Sequence, residues 1–136
     1  MSATQNLAYA IVQATHNFGA VAIVGGSIAA VACRDEGIRK KLAWLALAGW
    51  GIQAASGAAF GAVSYYFYHQ FPDIARIAVV ALAIKMVCVA IGFLLLATYI
   101  FRSAGWTTEK MNAVWLVSSA LGVTALSAAA FLRWFS

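Results

Sequence analysis

Four long apolar stretches, separated by short polar breaks, dominate the chain and limit what it can fold into. They run approximately over residues 7–32, 42–68, 74–101 and 113–134. A helix needs about 20 apolar residues to cross the roughly 30 Å hydrocarbon core of a bilayer, and each stretch is that long. Only 10% of the 136 residues are charged, whereas a soluble domain carries about 25%. The pattern predicts one transmembrane domain covered by lipid.

The three breaks are short and carry turn or capping residues. They read CRDEGIRKK, then HQFPD with the only proline, Pro72, and then RSAGWTTEK. In the last of these, Gly105 can end one helix and Thr107 or Thr108 can cap the next. Because short connections make successive helices antiparallel neighbours, the chain is predicted to be all-α, an integral membrane four-helix up-and-down bundle.

The distribution of basic residues predicts the orientation of this bundle. The first and third breaks hold six of them, and the other side of the predicted bundle holds only Arg76 and Arg133; the six are Arg34, Arg39, Lys40, Lys41, Arg102 and Lys110. Basic residues concentrate on the cytoplasmic side of membrane proteins. The expected location is therefore the inner (cytoplasmic) membrane, with both termini on the outer, periplasmic side. The excess of positive charge reports topology and indicates no nucleic-acid partner.

Polar side chains recur near the middle of the predicted spans. His16 and Lys85 lie about 14 and 16 Å below the outer boundary at ~1.5 Å per helical residue, and Gln53 lies about 16 Å from the inner one. Ser118 and Ser119 are assigned to the same level of the fourth span. The sequence therefore predicts a polar layer to which four helices contribute.

Lys85 is the most demanding member of this layer. A charge at the centre of a bilayer costs at least ~2.5–3.5 kcal/mol. The four acids of the chain, Asp35, Glu36, Asp73 and Glu109, lie in the breaks or at span ends. Lys85 is therefore expected to face inward and either to lose its proton or to meet a negative group from outside the chain, such as a haem propionate.

The polar residues leave several interpretations open. His16 suits a structural hydrogen bond between helices, a haem ligand or a proton relay. Gln53 is typical of interhelical hydrogen bonding. Gly19 follows His16 at helical spacing, and the second span repeats Gly49, Gln53, Gly57 and Gly61 in steps of four. These glycines predict close helix packing, with a flat macrocycle against them as the second interpretation.

In the run HNFGAVAIVGG of the first predicted span, a histidine is followed by paired glycines nine and ten positions later. The third predicted span contains a lysine, Lys85, in ALAIKMVCVAIGFLLLATYIF. This combination resembles the copper-resistance D-type membrane proteins and the related four-helix protoporphyrinogen oxidases of bacteria. The resemblance implies haem b held through His16 as the metal ligand. It also implies that Lys85 lies near a carboxylate of the haem or of a substrate.

Several classes of chemistry have no matching residues in this sequence. It has no paired carboxylates, phosphate-binding loop, C-x-x-C motif or serine–histidine–acid set, which argues against hydrolysis and nucleotide use. Met86, Cys88 and Met111 are soft ligands suited to Cu(I) transport, but Met111 is predicted far from the other two. His69, the only other histidine, is predicted about 14 Å above His16 and is not expected to ligate the same iron.

Three functional hypotheses follow. The first is a b-type haem-binding protein of electron or proton transfer, with a redox partner or a quinone, in which His16, Gly19, Gln53 and Lys85 form the cofactor site. The second is a cofactor-free accessory or anchor subunit of a larger membrane complex. The third is an oxidase of haem biosynthesis similar to protoporphyrinogen oxidase. Partner subunits or a homo-oligomer are expected because the loops are short and no extramembrane domain is present.

Overall fold

The computed structural model describes residues 2–70, 74 and 76–134, and within these residues the only regular elements are four α-helices. They are α1 (Ala3–Ala32), α2 (Glu36–Tyr68), α3 (Arg76–Arg102) and α4 (Thr108–Trp134). The helices end at the predicted residues 32, 68 and 134, and α3 ends one residue after the predicted 101. Pro72, in the second break, lies outside the described residues.

The predicted starts of α1, α2 and α4, at 7, 42 and 113, were too late, because polar caps extend these helices beyond their apolar stretches to 3, 36 and 108. Asp35 caps α2, and its carboxylate accepts the Ile38 N–H at 2.8 Å. Gly105 has φ 86°, and the Thr107 hydroxyl then accepts the Lys110 N–H at 3.3 Å. The predicted turn at Gly105 and the predicted threonine cap are therefore confirmed, with Thr107 as the cap.

The helices form a four-membered ring in chain order. α1 packs against α2 and α4, and α3 packs against the same two helices, so that α1 and α3 lie diagonally across the bundle. This is the up-and-down arrangement that the short connections predict. Residues that meet between α1 and α3 must therefore reach across the bundle interior.

α1 and α2 approach each other closely at Gly19 and Gly49. A methyl group on Gly49 would lie 2.8 Å from the main-chain oxygen of Gly19, and one on Gly19 would lie 3.1 Å from that of Gly49. Only residues without a β-carbon permit this approach. A neighbour against Gly57 was also predicted, and this was wrong: a methyl group there would meet nothing within 4 Å.

Two tryptophan rings lie in the core, and large apolar side chains cover the outside. Trp50, Trp115 and Leu96 are fully buried, and the edge of the Trp50 indole lies against Gly92 on α3. Phe18 and Leu94, by contrast, are 73% and 65% exposed. Among the described residues, α1, α3 and α4 are long and apolar enough to cross a membrane, whereas α2 is not counted with them. Four spans were predicted, and three helices meet this description.

Candidate functional site

His16 and Lys85 meet inside the bundle. The Lys85 Nζ lies 2.6 Å from the His16 Nε2, although the two residues are 69 positions apart in the chain and belong to diagonal helices. Both side chains are partly buried. The sequence predicted that these two residues lie at one level of the bundle, and the structure brings their side chains into direct contact.

Ser56 on α2 holds the other nitrogen of the imidazole. The Ser56 Oγ lies 2.7 Å from the His16 Nδ1, and its hydroxyl donates to the main-chain oxygen of Ile52. A serine hydroxyl has one hydrogen, so in this arrangement the Nδ1–H donates to Ser56. The Nε2 is then the acceptor, and Lys85 donates to it. One hydrogen-bonded chain thus runs from Lys85 through His16 and Ser56 to the α2 backbone.

Gln53 fixes the backbone that carries His16. Its Nε2 donates to the main-chain oxygen of His16 at 2.6 Å. Gln53 is only 6% exposed, so this bond satisfies a polar group that would be costly to bury alone. On the other side, the Phe60 ring packs against the imidazole in an edge-to-face arrangement, with 5.7 Å between ring centroids. The imidazole is therefore positioned by α2 at three residues.

No carboxylate of the described residues accompanies Lys85. Asp35 and Glu36 stand at the start of α2 and Glu109 stands in the first turn of α4. Seventeen residues separate Glu36 from Gln53 along α2, which corresponds to about 25 Å of helix. Asp73 lies outside the described residues. The described part of the bundle therefore presents a basic and an imidazole group together without an acid at the same level.

The predicted contribution of α4 to this layer was wrong. The Ser118 hydroxyl lies 2.8 Å from that of Ser27, eleven residues beyond His16 on α1, and both serines are fully buried. Eleven residues of helix correspond to about 16 Å. Ser119 instead donates to the Trp115 main-chain oxygen in its own helix. Serine pairing thus forms a separate interhelical contact, far from the imidazole.

We expect Ser118→Ala to lower the free energy of unfolding by about 1 kcal/mol, because the buried Ser27 hydroxyl loses its partner. Ser119→Ala is the matched control, since that hydroxyl bonds only within α4. Thermal unfolding in detergent, followed by circular dichroism, measures both. Equal changes in the two variants would contradict the importance of the interhelical serine pair.

Gly19 lies on the α2 face of α1 and not beside an open space. A methyl group there would be 2.8 Å from the Ile52 Cγ2. Its observed contact is therefore helix packing, and its participation in a cofactor site stays a prediction. His69 ends α2 with φ 53° in an exposed position and packs its ring edge against Tyr65.

A cavity of about 320 Å³ borders His16 and Gln53 on the side of α4. Small residues, including Ala20, Gly122 and Ala125, line its apolar wall. Arg133, near the end of α4, also lines it. The cavity therefore joins the imidazole to an apolar space with a basic residue at one end.

Two features of the site suit His16 as a ligand of the haem that the resemblance implies, and one contact of His16 would have to change. An axial or metal-binding histidine commonly donates its second ring N–H to a neighbouring acceptor, as the His16 Nδ1 does to Ser56. The cavity beside the imidazole is apolar. The Lys85 Nζ, however, occupies the Nε2, so ligation requires this long side chain to turn away. In the described part of the chain, no three His, Cys, Asp or Glu side chains are placed so that they could hold a metal ion together.

Comparisons of the chain with family models, with curated protein sequences and with solved structures found no match. The resemblance drawn from the motifs around His16 and Lys85 therefore stays a prediction.

Ser56 was missed at the level of sequence, although a signal for it existed. It follows Gln53 by three residues on α2, and residues three apart share one face of a helix. A face that directs Gln53 inward must direct position 56 inward as well. Serine is common in helices that pack closely, so the residue type alone does not distinguish this hydroxyl.

Proposed function

We propose that the protein is an integral membrane protein of the cytoplasmic membrane with four spans and both termini outside. Three of its helices have the required length and apolar character. The fourth, α2, carries its polar Gln53 and Ser56 on the buried side. The exposed surface is rich in large apolar side chains, which supports contact with lipid.

The orientation predicts opposite labelling of two engineered cysteines. In a background with Cys33 and Cys88 replaced by alanine, we expect Ser2→Cys to react with a membrane-impermeant maleimide added to intact spheroplasts. Lys41→Cys should react only after lysis, because the cluster of basic residues at the start of α2 faces the cytoplasm. Labelling in the reverse pattern would mean that the bundle is inverted.

We propose further that the protein binds haem b through His16 and takes part in electron or proton transfer. The contact of His16 with Lys85, in a layer without a described carboxylate, is the observation that carries this proposal. His16 would ligate iron through its Nε2. Lys85, released from that nitrogen, would supply the cation for a propionate. Bound haem would supply one-electron redox chemistry at this level of the bundle.

The residues of the chain have separate tasks in this proposal. Ser56 holds the Nδ1 proton and sets the direction of the imidazole. Gln53 keeps the His16 main chain at its height. The series of Lys85, His16 and Ser56 also offers a path along which a proton can be passed, because neutral imidazole accepts at one nitrogen and donates at the other.

The absorption spectrum of the protein purified in detergent tests the proposal. A Soret band that shifts on reduction with dithionite is expected. A protein that stays colourless after expression with added haem precursor would exclude haem binding. If the Soret band is present, the effect of an added quinone or redox partner on the rate of haem reoxidation identifies the electron acceptor.

A cofactor-free accessory or anchor subunit is the second candidate, and one observation favours it. Both ring nitrogens of His16 already have partners within the protein, so the site is complete without a ligand. Purification from native membranes separates the candidates: co-purifying larger subunits with no Soret band would support the accessory role. Activity as an oxidase of haem biosynthesis stays a prediction, tested by rescue of a strain that lacks this step.

A further inference from the structure

A second polar site lies at the opposite end of the bundle, around Arg39. Sequence alone places Arg39 in a charged break, but it belongs to α2 and is only 4% exposed. Its Nε donates to the main-chain oxygens of Ala30 and Cys33 at 3.1 and 2.6 Å, and its Nη2 donates to the Asn112 Oδ1 at 2.7 Å. The guanidinium thus ties the end of α1 to α4.

These partners leave the charge of Arg39 without a counter-ion. All three acceptors are neutral oxygens, and none of the described carboxylates pairs with the guanidinium. A charge that is removed from water normally requires an ion pair, because dipoles alone do not replace its hydration. The Nη1 has no hydrogen-bond partner among the described residues. The site therefore has donors and positive charge to offer.

A cavity of about 390 Å³ opens beside this guanidinium. It is lined by a second arginine, Arg34, and by the polar Thr108 and Asn112. Thr108 is the first residue of α4, where unpaired main-chain N–H groups and the helix dipole favour an anion. Two arginines and a helix start thus converge on one space, and they are supplied by three different segments of the bundle.

The remaining walls of the cavity indicate what kind of anion would bind. Val31 and Leu116 line it and are 41% and 59% exposed. They provide an apolar surface next to the two arginines. An ion surrounded by water would gain nothing from this surface, whereas a headgroup attached to acyl chains would cover it.

We infer that this cavity binds the phosphate group of an anionic membrane lipid, with Arg34 and Arg39 as the phosphate-binding residues. Asn112 keeps the Arg39 guanidinium in place, and Val31 and Leu116 contact the first part of an acyl chain. Basic pockets between helices at the cytoplasmic face of membranes commonly hold such headgroups. The inference rests on the proposed membrane location and orientation but is independent of haem, because the site shares no residue with that of His16.

Native mass spectrometry of the whole protein in detergent, titrated with phosphatidylglycerol or with phosphatidylcholine, tests the inference. Phosphatidylglycerol is expected to bind more tightly. Arg34→Gln should weaken its binding about fivefold, the typical effect of one basic residue beside an anionic lipid. Lys41→Gln is the matched control, since Lys41 is exposed and basic but does not line the cavity.

The outcomes distinguish the sources of the phosphate group. Displacement of phosphatidylglycerol by millimolar inorganic phosphate would support a phosphate site that takes the free ion, and resistance to it would support the lipid. Equal binding of the two lipids, or equal weakening by Arg34→Gln and Lys41→Gln, would overturn the inference. Arg34 is exposed, so its replacement leaves the buried bonds of Arg39 intact and folding is not at stake.

Discussion

Replacing His16 with alanine is expected to remove the Soret band of the purified protein entirely. His16 is the only histidine in the described bundle interior, so its replacement removes the proposed ligand. Ser56→Ala removes the acceptor that orients the imidazole but leaves the ligand. It should therefore keep the band while lowering the affinity for haem about 10- to 100-fold, the usual effect of such supporting residues.

The matched control is His69→Asn. His69 is exposed and ends α2 in the left-handed region, which asparagine also adopts at low cost. We expect this variant to keep the full absorbance. Circular dichroism of each variant establishes that the bundle has folded. An unchanged Soret band in a folded His16→Ala protein would reject His16 as the ligand, and loss of the band in His69→Asn would move the site to the end of α2.

Much of the fold follows from the sequence because apolar character and helix capping are both local properties. A stretch of about 20 apolar residues has few alternatives to a helix, so the C-terminal ends of all four helices were predicted closely. The starts of α1, α2 and α4 were predicted too late, since the first residues of these helices include polar ones and the apolar stretches begin only after them. Asp35 and Thr107 mark the starts of α2 and α4 through their capping hydrogen bonds.

The candidate site was predicted in part. Counting residues from the span ends brought His16 and Lys85 to one level, and the structure confirms their contact. The same counting failed for Ser118, because the axial shift between neighbouring helices is set by packing. Gly122 on α4 packs against Ile23 on α1, where a methyl group would lie 3.0 Å from its Cγ2. A pattern within one helix does not contain this information.

The burial of Arg39 could not be predicted for a similar reason. Its charge and its place beside Lys40 and Lys41 are typical of an exposed break, and hydropathy treats the three residues alike. Arg39 differs from the two lysines because it donates to the main-chain oxygens of Ala30 and Cys33 at the end of α1. Such a contact depends on where two helices end relative to one another.

Gly49→Ala is expected to destabilise the bundle by about 1–3 kcal/mol, the usual cost of inserting a methyl group into a well-packed space. The new carbon would lie 2.8 Å from the Gly19 main-chain oxygen and 2.9 Å from the Ile23 Cγ1. A backbone oxygen cannot turn away as a side chain can. α1 must therefore move as a whole, and the movement would shift His16 relative to Ser56. Thermal unfolding in detergent measures the loss.

Gly51→Ala on the same helix is the control, because a methyl group there meets nothing within 4 Å. Alanine favours a helix over glycine by up to about 1 kcal/mol, so Gly51→Ala should be neutral or stabilising. The two substitutions add the same atom to the same helix and differ only in the neighbour they face. If both variants unfolded at the same temperature, the crossing at Gly19 and Gly49 would not be the contact that holds α1 against α2. The position of His16 between Ser56 and Lys85 would then need another cause.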